Sequence, residues 1–278
     1  MQGFVSARSR AIKQRILTAA IILPLLSAFI IYAGPLLFGV VLGLISLLAL
    51  HEFYRMALPA RRRFESGCGL IAAAVMTAAL LCPPAAGAPL AWLALPALVL
   101  LLVFLFRLQE IALIGQEMAL TLFGLVYVPL LLVHAGLLRA LPFGREWIFL
   151  VLAIVMVSDS MAYFIGRRWG RRKLYPSVSP NKSVEGALGG LLGGLLGAAL
   201  CKLTFFAALA WPDALLLGAA VGVFSQVGDL VESLLKRSFG VKDSGTLIPG
   251  HGGMLDRLDS LLFAFPATYY YVVWMVLS

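Results

Sequence analysis

The chain has 278 residues, of which 62% are hydrophobic and 13% charged, with a mean hydropathy of +0.98. This balance excludes an ordinary water-soluble domain, because the apolar residues come in blocks long enough to cross a bilayer instead of the periodic stripes a soluble core needs. The formal charge of +9 does not point to nucleic acid, since the basic residues lie in short clusters between apolar spans and not on one continuous surface.

Residues 1–15 form a basic N-terminus carrying Arg8, Arg10, Lys13 and Arg15. Such a start could pass for a secretory signal, but further spans follow at once, so the run from Ile16 reads as an uncleaved first helix. Apolar stretches bounded by charge, Pro or Gly predict nine spans, near residues 16–33, 35–50, 67–82, 90–106, 118–138, 147–165, 186–210, 213–234 and 260–277. The expected fold class is all-α, a polytopic transmembrane helical bundle. With the N-terminus cytoplasmic, nineteen of the 22 basic residues fall in cytoplasmic segments. Arg139 and Arg145 fall in outer loops, and Lys202 can snorkel from within the seventh span.

Residues 16–158 hold about five spans and part of the sixth, nearly free of charge, and read as a membrane scaffold. In this region His51 and Glu52 do not begin a zinc-protease motif, because Arg55 stands where the second His belongs. Cys68, Cys82 and Cys201 have no metal-type spacing; on one helix the first two would be about 21 Å apart. They read as small core residues.

Residues 159–278 collect Asp159, Glu185, Asp229, Glu232, Asp243, Asp256 and Asp259, and read as the catalytic membrane domain. Asp159 lies near the inner end of the sixth span, where an ionisable group faces a polar cavity, a partner or an interhelical hydrogen bond. After it, the arginine run from Arg167 to Lys173 suits anionic lipid headgroups. Ser179 followed by Pro180 predicts a helix start, with Ser179 as N-cap and Pro180 at the first helical position, which aims terminal amides and Lys182 at an anion. The seventh span opens with two glycine rows, Gly186, Gly190, Gly194 and Gly189, Gly193, Gly197. These continue into an apolar helix instead of ending at the Lys-Ser pair of a phosphate loop, so they predict close helix packing.

The densest polar stretch runs from Ser233 to Asp259, between the eighth and ninth spans. Lys236, Arg237, Lys242 and Arg257 can neutralise phosphate oxygens, while Asp243, Asp256 and Asp259 are hard oxygen ligands suited to Mg²⁺. In Pro249-Gly-His-Gly-Gly253 the glycines, Gly252 and Gly253 among them, let amides turn towards an anion, and His251 can donate a hydrogen bond. Asp229 and Glu232, like Asp256 and Asp259, are three residues apart and would share a helix face. The alternative is a charged loop whose aspartates cap a helix.

Ser233 to Asp259 resembles a long C-terminal pattern of the phosphatidate cytidylyltransferase (CDP-diacylglycerol synthase) family at every defined position: Ser-x-apolar-Lys-Arg, then Lys-Asp-x-small, then apolar-Pro-x-His-Gly-Gly-apolar-x-Asp-Arg-apolar-Asp. Asp159-x-x-Ala-Tyr-x-x-Gly-x-x-x-Gly170 and Ser179-Pro-Asn-Lys-Ser-Val-Glu-Gly186 are similar to two further family segments. Asn181 stands where many members carry Lys, and Ser183 where they carry Thr, which keeps the hydroxyl.

The resemblance implies transfer of a cytidylyl group from CTP to phosphatidic acid, giving CDP-diacylglycerol and pyrophosphate. The nucleophile would be the lipid phosphate, already largely ionised because the second pKa of a phosphomonoester is about 6. Metal and basic side chains would then neutralise charge and position the reactants. Lys242, Asp243, His251, Asp256 and Arg257 are the candidate catalytic residues; Lys182, Ser183, Lys236, Arg237, Gly252 and Gly253 the candidate substrate-binding ones. Asp229, Glu232, Asp256 and Asp259 are the candidate ligands for Mg²⁺, with room for a second cation. Expected partners are CTP, phosphatidic acid and the lipid bilayer; a homodimer is allowed without being required. The expected location is the inner (plasma) membrane with the site facing the cytoplasm. Another membrane CTP-dependent lipid nucleotidyl- or phosphotransferase, or a transporter, is the alternative. A CDP-alcohol phosphotransferase is disfavoured by the absence of its Asp-Gly-x-x-Ala-Arg element, and a transporter by the gathering of polar residues at one face.

Overall fold

The computed structural model describes residues 23–82, 90–107, 110–245 and 252–277. In chain order these form α1 (Leu23–Tyr32), α2 (Pro35–Ala57), a 3₁₀ turn (Ala60–Arg62) leading into α3 (Arg63–Leu81), α4 (Ala91–Phe106) and α5 (Ile111–Ala140). There follow α6 (Gly144–Trp169), a hairpin of β1 (Lys173–Tyr175) and β2 (Ser179–Ser183), then α7 (Val184–Thr204), α8 (Trp211–Ser238) and α9 (Leu255–Tyr271). Each predicted apolar block overlaps one helix. Among the described residues six helices, α2, α3 with its leading turn, α5, α6, α7 and α8, are long and apolar enough to cross a membrane, and α1 and α4 are shorter apolar helices. The protein is a helical membrane protein.

Proline sets several boundaries. Pro35 opens α2, where a missing N–H costs nothing, and Leu58, held extended (φ −114°, ψ 143°) ahead of Pro59, closes it. Pro129 lies inside α5, where the backbone widens into a π turn over Val126–Leu130 that absorbs the missing hydrogen bond.

The helix start predicted at Ser179 lies elsewhere. Residues Ser179–Ser183 form β2, antiparallel to β1 with Lys173 opposite Ser183 and Tyr175 opposite Ser179, and α7 begins at Val184. The cap is Ser183, whose Oγ accepts from the Gly186 N–H at 3.1 Å. The fixed φ of proline suits a strand as well as a first helical turn. Contacts distant in sequence decide between them: Val184 N–H donates to the Arg172 carbonyl at 2.9 Å, and the Glu185 carboxylate accepts from the N–H groups of Arg171 and Arg172 at 3.0 and 3.2 Å.

The glycine rows pack α7 against two neighbours at once. A Cβ at Gly193 would come 2.7 Å from the Val157 carbonyl oxygen, and one at Gly197 3.1 Å from that of Ala153, both on α6. A Cβ at Gly194 would overlap the Gly218 carbonyl on α8. In lipid, where apolar burial gives little drive, such close backbone approach is what holds helices together.

The core runs through α2, α5, α6, α8 and α9, with Leu50, Phe53, Leu132, Leu138, Ile154 and Leu262 buried together. At one end of the N-terminal half Arg62 is fully buried; its Nε donates to Glu117 at 2.7 Å and its Nη1 to Glu65 at 3.0 Å, while Arg61 reaches Glu117 at 2.6 Å. Neutralised in this way, the charges pin the start of α3 to α5.

Candidate active site

A cavity of about 810 Å³ opens between α6, the hairpin, the first turn of α7 and α8. α6 contributes Asp159, Tyr163 and Arg167; β2 contributes Asn181, Lys182 and Ser183; α8 contributes Gln226 and Asp229. The close approach that shapes it depends on glycine: a Cβ at Gly186 would lie 3.0 Å from the Ala162 carbonyl and 3.1 Å from Gly166 Cα. Lys182 Nζ lies 2.8 Å from Asp229 Oδ2, Arg167 Nη1 donates to the Tyr163 hydroxyl at 3.0 Å, and Gln226 Nε2 donates to the Ala187 carbonyl at 3.2 Å. Asp159, Asp229 and Asp259 lie within electrostatic reach of one another. The cavity therefore offers three cations, Arg167, Lys173 and Lys182, and two carboxylates, Asp159 and Asp229.

Beside it, Lys236 Nζ bridges Glu232 Oε2 and Asp256 Oδ1, each at 2.7 Å. Asp256 Oδ2 also accepts from the N–H groups of Gly253 at 2.8 Å and Ser244 at 3.0 Å. Burial disfavours the charge of Asp256, but the Lys236 ammonium and these amides outweigh it and hold the carboxyl below the usual carboxylate range. Glu52, from α2, enters the same cluster: its carboxylate accepts from Ser244 Oγ and from the N–H groups of Met254 and Leu255, all at 2.9 Å. Two halves of the chain thus meet at one charged cluster.

The profile of the cytidylyltransferase family matches residues 13–275. This chain belongs to that family. A phosphatidate cytidylyltransferase of Bacillus subtilis (strain 168) is 35% identical over 264 residues, covering 93% of this chain and 96% of the relative. One from Pseudomonas aeruginosa (strain PAO1) is 38% identical over 266 residues, covering 92% and 94%. One from Staphylococcus saprophyticus is 39% identical over 123 residues, 44% of this chain and 47% of the relative.

In this cytidylyltransferase the residues singled out by sequence separate into groups. Lys182, Ser183 and Asp229 line the cavity. Lys236, Glu232 and Asp256 form the bridged cluster, with Gly253 donating into it. Asp259 is partly buried, its Oδ1 accepting from the Ser260 N–H at 2.6 Å. Arg237, Lys242, Asp243 and Arg257 are exposed and do not line the cavity, Arg237 donating to the Val241 carbonyl at 3.1 Å; Gly252 takes a positive φ of 81°. His251 lies outside the described residues, as do Arg8, Arg10, Lys13 and Arg15.

Glu232 and Asp256 turn to Lys236, while Asp229 and Asp259 feel each other and Asp159. Mg²⁺ takes oxygen ligands only and commonly uses one or two carboxylates together with substrate phosphates. The chemistry of the Asp159 and Asp229 oxygens, which line the cavity, fits that ion, although among the described residues no three His, Cys, Asp or Glu side chains stand together as a metal site.

Sequence considers Glu52 only as part of a failed zinc-protease motif, and gives Tyr127 no role. Tyr127 is buried in the π turn of α5, its hydroxyl unpartnered among the described residues and within electrostatic reach of Glu232, Asp259 and Asp229. The available signal for Glu52 was a single carboxylate in an apolar helix, costly unless it meets a partner. For Tyr127 no comparable signal exists in the sequence.

Proposed function

We propose that this chain transfers the cytidylyl group of CTP to phosphatidic acid, forming CDP-diacylglycerol and pyrophosphate. The observation that carries this is the cavity in which Lys182 meets Asp229 beside Asp159, in a chain aligned over more than nine-tenths of its length with two phosphatidate cytidylyltransferases.

A phosphate oxygen of the lipid attacks the α-phosphorus of CTP; a new P–O bond forms there while the bond to the β-phosphate oxygen breaks and pyrophosphate leaves. The acceptor is already ionised near neutral pH, so no side chain needs to remove a proton. Catalysis is then a matter of bringing two anions together in line. Lys182 and Arg167 in the cavity supply cationic donors for phosphate oxygens, with the exposed Lys242 and Arg257 as further candidates. Ser183 caps α7, and the first turn of that helix, at Gly186 and Ala187, lines the same cavity. Carboxylates from Asp159 and Asp229 would hold Mg²⁺, which would neutralise phosphate charge.

We also place the N-terminus and the site on the cytoplasmic side of the inner membrane, with nine spans, because nineteen of the 22 basic residues then lie in cytoplasmic segments. Purified protein given CTP, phosphatidic acid and Mg²⁺ should yield CDP-diacylglycerol in the lipid extract, identified by mass. Diacylglycerol, whose hydroxyl is not ionised, should give no product. Conversion of diacylglycerol to a phosphorylated lipid would overturn the assignment in favour of a kinase.

A further inference from the structure

We infer that Glu52 is a positioning residue for the reaction: from the N-terminal half of the chain it holds the Ser244 loop and the first turn of α9, and through them Asp256, in the arrangement that turnover requires. The role in turnover rests on the cytidylyl transfer proposed above, and the contacts themselves do not.

α9 starts without a side-chain cap of its own. Its first amides would be orphaned, yet Met254 N–H and Leu255 N–H both donate to Glu52, at 2.9 Å each and across 202 and 203 residues of sequence. A carboxylate is the group best suited to a helix N-terminus, where partial positive charge accumulates. The contact extends beyond a cap. Ser244 Oγ donates to Glu52 Oε2 at 2.9 Å and accepts from the Asp256 N–H at 3.3 Å. Asp256 closes the circuit by accepting from the N–H groups of Ser244 and Gly253. Glu52 therefore acts on Asp256 through one hydroxyl and two main-chain segments.

Two glycines leave the room this needs. A Cβ at Gly245 would stand 2.7 Å from Glu52 Oε1, and one at Gly253 would overlap both Glu52 Oε2 and Ser244 Oγ. Part of the glycine content of the C-terminal motif is thus explained by a carboxylate about 190 residues upstream. Glu52 is 8% exposed, and these donors supply the hydrogen bonds that a buried carboxylate requires.

Glu52→Gln tests this, because the side chain keeps its size while one acceptor becomes an NH₂ group that cannot receive the Met254 or Leu255 amide. kcat should fall roughly 10- to 100-fold, the range expected when a partner that orients a functional side chain is lost. The KM for CTP should change little, and Glu52→Asp should recover part of kcat. Hydrogen exchange at Met254 and Leu255 should accelerate in Glu52→Gln while the amides of α7 stay protected. Combined with Ser244→Ala the losses should be less than multiplicative, since both act along one circuit. Should Glu52→Gln fail to fold, Glu52→Asp and Ser244→Ala must still lower kcat more than they lower the melting temperature would explain. Wild-type kcat in Glu52→Gln, or a loss that merely tracks the fraction folded with unchanged exchange at 254 and 255, would overturn the inference. A wild-type protein inactive on CTP would instead sink the activity proposed above, and the exchange data would still show whether Glu52 holds the loop.

Discussion

Lys236 commits its ammonium to two carboxylates at once, Glu232 and Asp256, at 2.7 Å each, with only 12% of its side chain exposed. Sequence alone makes it one more cation beside Arg237, available to phosphate; packing shows its ammonium already shared between two acids. Removing one partner of a buried pair leaves the others uncompensated, so Lys236→Met should destabilise the protein by about 3–5 kcal/mol. Denaturant melts in detergent measure this, and adding Glu232→Gln should restore part of the loss. An unchanged midpoint in Lys236→Met would mean the carboxylates find other neutralisation. Arg62 carries the same lesson: its place in a basic cluster, Arg61 to Arg63, suggests solvent, yet it is fully buried between Glu65 and Glu117. The type of a charged residue is legible in a sequence; its partner, when 55 residues away as Glu117 is, is not.

At the scale of elements, hydropathy located the helices because lipid demands long apolar segments with every backbone group satisfied internally. The glycine rows were legible for a related reason, since only small residues at a spacing of four let two backbones meet. Gly194 provides the test: its Cβ would strike the Gly218 backbone, which cannot swing aside, so Gly194→Val should cost about 1–3 kcal/mol by overpacking. Gly115→Ala on α5, with nothing within 4 Å of the new atom, should be neutral or slightly stabilising by helix propensity. Equal melting temperatures for the two variants would show that the α7–α8 contact does not hold the bundle. The hairpin was not legible, because Ser179-Pro180 fits a helix start as well as a strand and the deciding bonds come from Arg171, Arg172 and Glu185.

For the whole molecule, sequence grouped the chemistry in the C-terminal half and treated the first five spans as scaffold. The cavity is lined by residues between Asp159 and Asp229. The scaffold also carries Glu52, which reaches the charged cluster from α2, and Tyr127 of α5, which lies within electrostatic reach of it. Neither could be placed before the helices were packed, because no local pattern says which helix faces which. The distribution of basic residues predicts sidedness: in a chain freed of Cys68, Cys82 and Cys201, cysteines replacing Ser177 and Ser238 should label only from the cytoplasm, and one replacing Arg145 only from outside. Labelling of Ser238→Cys from outside in intact cells would remove the site from cytosolic CTP. The most direct test of cytidylyl transfer follows the phosphorus atoms of CTP. Label from α-³²P CTP should enter the chloroform-soluble lipid while label from γ-³²P CTP leaves as water-soluble pyrophosphate; lipid labelled by γ-³²P alone would contradict the account.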